Sequence, residues 1–125
     1  MNLNYEIKQI VDKYDKNTID CIGMFGSRAR GDYSEDSDYD IFLIGDINLD
    51  TQLRIEDDLE KVIKKNIDII HINKNTDKIL LKNIMNEAII IYNKDNAFDE
   101  IYNFIEDFFV ENSDFLYIRR RELLD

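Results

Sequence analysis

The chain of 125 residues contains no proline, a single cysteine, a single histidine and only four glycines. No repeat, low-complexity tract or Pro/Gly/Ser-rich linker divides it, so one folding unit spanning residues 1–125 is expected, and that length with 44% hydrophobic content is enough to bury one continuous core. The lone Cys21 excludes a disulfide or a cysteine-based metal site within the chain, and its apolar surroundings predict a small buried thiol. The lone His71 excludes a histidine-based triad or zinc site and reads as a plain strand residue. No apolar run approaches the roughly 20 residues needed to span a bilayer, and nothing resembles a signal peptide, so a soluble, cytoplasmic protein without a membrane partner is expected. Basic charge is also scarce: 16 Lys and Arg stand against 27 Asp and Glu, a net charge of −11. Such a surface repels phosphate backbones, so direct nucleic-acid binding is not expected.

What remains is an alternation of elements. Leu3, Ile7, Ile10, Val11 and Tyr14 recur at helical spacing. Thr18 to Phe25 and Tyr39 to Ile44 read as strands. Asp50 or Thr51 is expected to cap a helix carrying Leu53, Leu59, Val62 and Ile63, and IDIIHI, Ile67 to Ile72, is a short β-branched strand. Asn75 or Thr76 is expected to cap the next helix, with Leu80, Leu81, Ile84 and Met85 inward. Ala88 to Tyr92 reads as a fourth strand, and a helical, aromatic-rich tail follows from Asn96, with Asp99 as a weak capping box. The order α-β-β-α-β-α-β-α predicts an α+β (mixed α/β) domain, a small mixed sheet flanked by helices with a C-terminal helical segment.

The chemistry concentrates in GSRARGDYSEDSDYD, Gly26 to Asp40. A glycine leaving a strand lets the backbone turn sharply and a ligand approach closely. Ser27 opens a short helix-like segment, SRAR, whose N–H groups and hydroxyl can receive a phosphate. Asp38 and Asp40, two apart at a strand start, project from one face, while Tyr39 and Ile41 point the other way. Two carboxylates so close raise each other's pKa unless a cation lies between them, and hard oxygen ligands select Mg²⁺ or Mn²⁺. Asp68, the only charged residue within an otherwise apolar strand, is the candidate third carboxylate, a metal ligand that can also act as general base. Arg28 and Arg30 can steady a triphosphate or pair with Asp32, Glu35 or Asp36.

Gly26-Ser27, ten residues, then Asp38-Tyr39-Asp40, with Asp68 downstream, resembles the signature of the DNA polymerase β-like nucleotidyltransferase superfamily. The fuller string GSRARGDYSEDSDYDIFLI is similar to its minimal nucleotidyltransferase (MNT) branch, the antitoxin half of bacterial type VII HEPN/MNT pairs. The resemblance extends to the first helix, IDIIHI, LLKNIMNEAIIIYN and the tail ending SDFLYIRRRELL. It implies a nucleotidyltransferase fold, two Mg²⁺ ions, ATP as co-substrate, and transfer of AMP to a tyrosine hydroxyl of a HEPN-domain RNase toxin. Carried over, Gly26, Ser27 and Arg30 hold the nucleotide; Asp38, Asp40 and Asp68 hold metal and carry catalysis. Larger members append a substrate-binding helical domain that this chain is too short to hold, so the acceptor is expected from another molecule, with the tail or Arg119 to Arg121 as docking surface. Transfer to a small molecule such as an aminoglycoside, and a non-catalytic antitoxin acting by contact, are the alternative readings.

Overall fold

The computed structural model describes residues 3–14 and 18–112. Its elements are α1 (Leu3–Lys13), β1 (Ile19–Phe25), α2 (Ser27–Arg30), β2 (Tyr39–Gly45), α3 (Leu49–Ile63), β3 (Ile67–His71), α4 (Lys78–Glu87), β4 (Ile89–Asn93) and α5 (Ala97–Glu111). The strands form one sheet in the order β3-β2-β1-β4. β1 runs antiparallel to β2 and β4, whereas β2 and β3 are parallel, joined by α3 as the crossover that a parallel pair requires. The mixed α+β arrangement matches the expectation, and the SRAR segment is a genuine single turn of helix.

Alternating side chains on the central strand divide between two cores. Ile41 and Leu43 of β2 pack with Ile7, Ile10 and Val11 of α1 and Ile55 and Leu59 of α3. Phe42 and Ile44 pack on the other face with Leu81, Ile84 and Met85 of α4 and Phe98, Ile101, Ile105 and Phe109 of α5. With both faces covered, β2 is hydrophobic on every residue from Ile41 to Ile44, which is why it reads as a continuous apolar run instead of an alternating one. Cys21 lies in the second core as a free thiol, its pKa pushed up to about 12 by burial.

Helix starts differ from the sequence expectations by one to three residues. Asn48, not Asp50 or Thr51, caps α3 by accepting the Thr51 N–H at 2.8 Å. Asp77, not Asn75 or Thr76, caps α4, taking the N–H groups of both Ile79 and Leu80 at 3.0 Å. A carboxylate that reaches two orphan donors at a helix N-terminus also faces the favourable end of the helix dipole. At α5 the capping box does not form: Asn96 sits in the left-handed region without a side-chain cap bond, and Asn93 Oδ1 takes the Phe98 N–H. Leu53, expected on the apolar face of α3, is exposed, because Ile55 and Leu59 define the buried stripe. In the tail, α5 covers the sheet; Arg119 to Arg121 lie outside the described residues.

β3 lies at a sheet edge, and α3 blunts it. Gln52, Glu56 and Glu60 recur every four residues on one helix face. Glu60 Oε1 accepts the Ile67 N–H at 3.1 Å, and Gln52 Nε2 donates to the Ile69 carbonyl at 3.0 Å, with Glu56 between them facing the Ile69 backbone. Side chains of α3 thus occupy backbone groups on the outer edge of β3, the Ile67 N–H and the Ile69 carbonyl, which blunts it. His71, at the far end of β3, bonds the Gly45 carbonyl through Nε2 at 2.5 Å, so its ring serves the strand junction.

Candidate active site

β1 ends at Phe25, and Gly26 takes φ 77° and ψ −161°, a region open essentially to glycine alone. The chain then closes one turn of helix, with the Ala29 and Arg30 N–H groups both bonding the Gly26 carbonyl at 3.0 Å. Gly26 is needed for space as well as for conformation: a Cβ there would run into Asp40 Oδ2. The glycine turn and the aspartate of β2 are therefore in contact, as the antiparallel pairing of Phe25 with Asp40 requires.

On the other side of β2, Asp40 is the direct partner of Asp68 in the parallel pairing with β3. In-register neighbours in a sheet project to the same face, and Asp38, two residues before Asp40, starts on that face too. The Asp40 carboxyl is held above the ordinary carboxylate range, first by burial and then by the charges of Asp68, Asp38 and Glu87, with Arg30 opposing. Sequence positions 38, 40 and 68 are thus brought to one end of the sheet, beside Gly26 and Ser27.

Among the described residues, no three acidic, histidine or cysteine side chains are already arranged as a metal cage. The donor chemistry nevertheless fits Mg²⁺, which is commonly held by one or two carboxylates and completes its octahedron with water and substrate phosphates. Asp38 and Asp68 are exposed and free to turn toward an ion, while Asp40 is half-buried and fixed against the glycine turn.

The two arginines serve different ends. Arg28 lies between two rings, 4.3 Å from the Tyr33 centroid and 4.4 Å from that of Tyr39, and its Nη2 donates to the carbonyls of Glu35 at 3.2 Å and Ser37 at 3.0 Å. It braces the loop that ends at Asp38. Arg30 pairs with Asp32 at 3.3 Å, one of the carboxylates foreseen, and with Glu87 at 2.9 Å, which was not. Lys65 Nζ donates to the same Glu35 carbonyl at 2.5 Å. Beside Asp38 opens a cavity of about 360 Å³ lined by Asp36, Asp38, Glu60, Lys64, Lys65 and Asn66.

Two residues near the cluster escaped sequence reasoning. Glu56 is half-buried on α3; burial, then the neighbouring charges of Glu60 and Asp68, push its carboxyl up, with the Ile69 N–H opposing. Glu87 ends α4 and accepts the Gly26 N–H. A glutamate at a helix C-terminus opposes the helix dipole, and that misfit was the available signal for Glu87.

Residues 5–97 match the family described as polymerase beta, nucleotidyltransferase. A Methanocaldococcus jannaschii relative named as a protein adenylyltransferase is 46% identical over 54 residues, 40% of this chain and 53% of that protein. The chain therefore matches about half the length of that relative. Among solved structures, a chain from the crystal structure of a toxin–antitoxin with AMP-PNP superposes with a TM-score of 0.80, covering 99% of this chain and 100% of that one at 10% identity. A chain from the tri-AMPylated Shewanella oneidensis HEPN toxin in complex with MNT antitoxin gives 0.72, over 98% and 96%, at 9% identity. At such identities the likeness is one of fold.

Proposed function

The chain belongs to the polymerase beta nucleotidyltransferase family, and from that premise we propose that it transfers AMP from ATP to a tyrosine hydroxyl of a HEPN-domain toxin, acting as the antitoxin of the pair. The observation that carries this reading is the in-register pairing of Asp40 with Asp68, with Gly26 packed against the Asp40 carboxylate. The relative named as a protein adenylyltransferase supports a protein acceptor, and the fold shared with chains of toxin–antitoxin complexes supports the choice of partner.

In this mechanism the Gly26 turn admits the phosphates without a side chain in the way, and Ser27 offers its hydroxyl and backbone N–H to them. Asp38, Asp40 and Asp68 are the residues that would hold two Mg²⁺, which when bound neutralise the triphosphate and acidify the attacking hydroxyl. Asp68 takes the proton of the acceptor hydroxyl as its oxygen bonds to the α-phosphorus and the bond to pyrophosphate breaks. Residues 1–125 act here as a single domain that receives its acceptor from another molecule.

Purified protein, ATP and Mg²⁺ are expected to add AMP mass to a tyrosine-bearing peptide of a HEPN toxin encoded beside it. Intact wild-type enzyme that leaves such a partner unmodified would overturn the reading.

A further inference from the structure

Glu87 divides its carboxylate between the two ends of the α2 turn. Oε2 accepts the Gly26 N–H at 3.0 Å, and Oε1 pairs with Arg30 Nη1 at 2.9 Å. Gly26 caps the start of the four-residue turn Ser27–Arg30 and Arg30 ends it, so one side chain from a distant part of the sequence ties the turn shut. The Glu87 side chain is 23% exposed and its bond to the Gly26 N–H is partly shielded from water, whereas the Arg30 side chain is 45% exposed.

The sheet register brings this residue to Gly26. β1 and β4 pair with Gly23 opposite Ile90 and Met24 opposite Ile89, and the same register carried past this last pair brings Glu87, the final residue of α4, level with Gly26, where the two are joined by the side-chain bond. The pairing shifts by one residue between Ile22 and Gly23. The register upstream of that bulge, carried on unchanged, would bring Ala88 instead of Glu87 level with Gly26. Bulges re-aim side chains beside functional sites in this way.

We propose that Glu87 is a positioning residue for the nucleotide loop, holding the Gly26–Arg30 turn in the shape that receives the phosphates without touching the reacting atoms. This rests on the adenylyltransferase reading above. A free carboxylate beside a phosphate site would repel the nucleotide. Glu87 is instead engaged by an N–H group and a guanidinium, so it orders the turn while its charge is compensated.

The test separates the loop from the reaction. In nucleotide-free protein, hydrogen exchange at the Gly26 amide is expected to quicken about tenfold in Glu87→Ala, while Glu87→Gln, which keeps an oxygen acceptor, stays within about threefold of wild type. In the transfer assay the KM for ATP is expected to rise about tenfold in Glu87→Ala with kcat within about threefold, and Glu87→Gln to recover most of the loss. Should Glu87→Ala fail to fold, Glu87→Asp carries the test: it keeps the charge but, one methylene shorter, cannot reach both partners, and its KM is expected to rise. An unchanged Gly26 exchange rate, an unchanged KM, or a loss confined to kcat would overturn the proposal. Wild-type protein that protects Gly26 yet takes up no ATP would sink the functional reading and this inference together; equal ATP uptake by wild type and Glu87→Ala would sink the inference alone.

Discussion

Asp40 and Asp68 stand opposite one another across the parallel pairing of β2 with β3. Adjacent strands lie about 4.8 Å apart, so the two carboxylates are close enough to repel wherever both are charged. Burial adds to that repulsion at Asp40, whose carboxyl is held above its ordinary range. The nucleotide-free fold thus carries an electrostatic cost at the place where a divalent cation would relieve it.

That cost gives a pH dependence. The folded chain keeps the Asp40 proton to higher pH than the unfolded chain does, so the associated stability is complete below the ordinary value of 3.8 and is lost as pH rises through the raised value. Asp40→Asn removes the dependence. Without nucleotide, the variant is expected to melt above wild type near pH 7, and the gap should close below the ordinary carboxylate pKa, while AMP transfer falls at least about a thousandfold. Calorimetric melts across this range decide it; a variant melting lower than wild type near neutrality would contradict the argument.

Catalysis and simple contact separate in the Asp38→Ala/Asp40→Ala double variant. Loss of both carboxylates should abolish AMP addition, and with it neutralisation of a co-expressed HEPN toxin. Growth of cells carrying the toxin and the double variant would show that binding alone suffices.

Gly26→Ala places a Cβ against Asp40 Oδ2 at a φ of 77°. A residue forced into this region costs about 1–3 kcal/mol, and the displaced Asp40 should abolish Mg²⁺-dependent ATP uptake. Denaturant titration and binding calorimetry measure the two effects separately.

Arg28→Lys retains the charge but loses the flat guanidinium that stacks between Tyr33 and Tyr39 and bonds the Glu35 and Ser37 carbonyls. The expected result is a loop before Asp38 that proteases cut sooner, with kcat lowered about tenfold through misplacement of that aspartate. A wild-type digestion pattern in Arg28→Lys would show that the stacking contributes little to loop order.

Gly23→Ala tests the bulge. A Cβ at Gly23 meets the Phe42 ring and, at 2.9 Å, the Ile89 carbonyl. Overpacking of this kind costs about 1–3 kcal/mol, and because the collision falls where β1 and β4 change register, protection of the Gly26 amide should fall as well.

The local geometry of residues 26–40 was legible because each part depends on neighbours in the chain. Gly26 needs only its own backbone freedom, and Asp38 and Asp40 share a face through strand alternation. Asp68 was legible for a different reason: a charge in an apolar strand demands a partner. Exact helix starts were not, because Asn48, Asp50 and Thr51, or Asn75, Thr76 and Asp77, are all competent caps, and the core decides which lies at the first turn. Arg28 was ambiguous between phosphate and loop until Tyr33 and Tyr39 were seen on either side of it.

By itself, then, the sequence determined the order of elements, the glycine turn with its acidic strand, and the family, since these depend on local sterics and on side-chain periodicity. Only the tertiary structure decided that Asp68 faces Asp40 and that Glu87 closes the turn at Gly26. Both depend on strand register, and register is set by how two cores pack and where one bulge falls; for Gly26 and Glu87, that joins residues 61 positions apart.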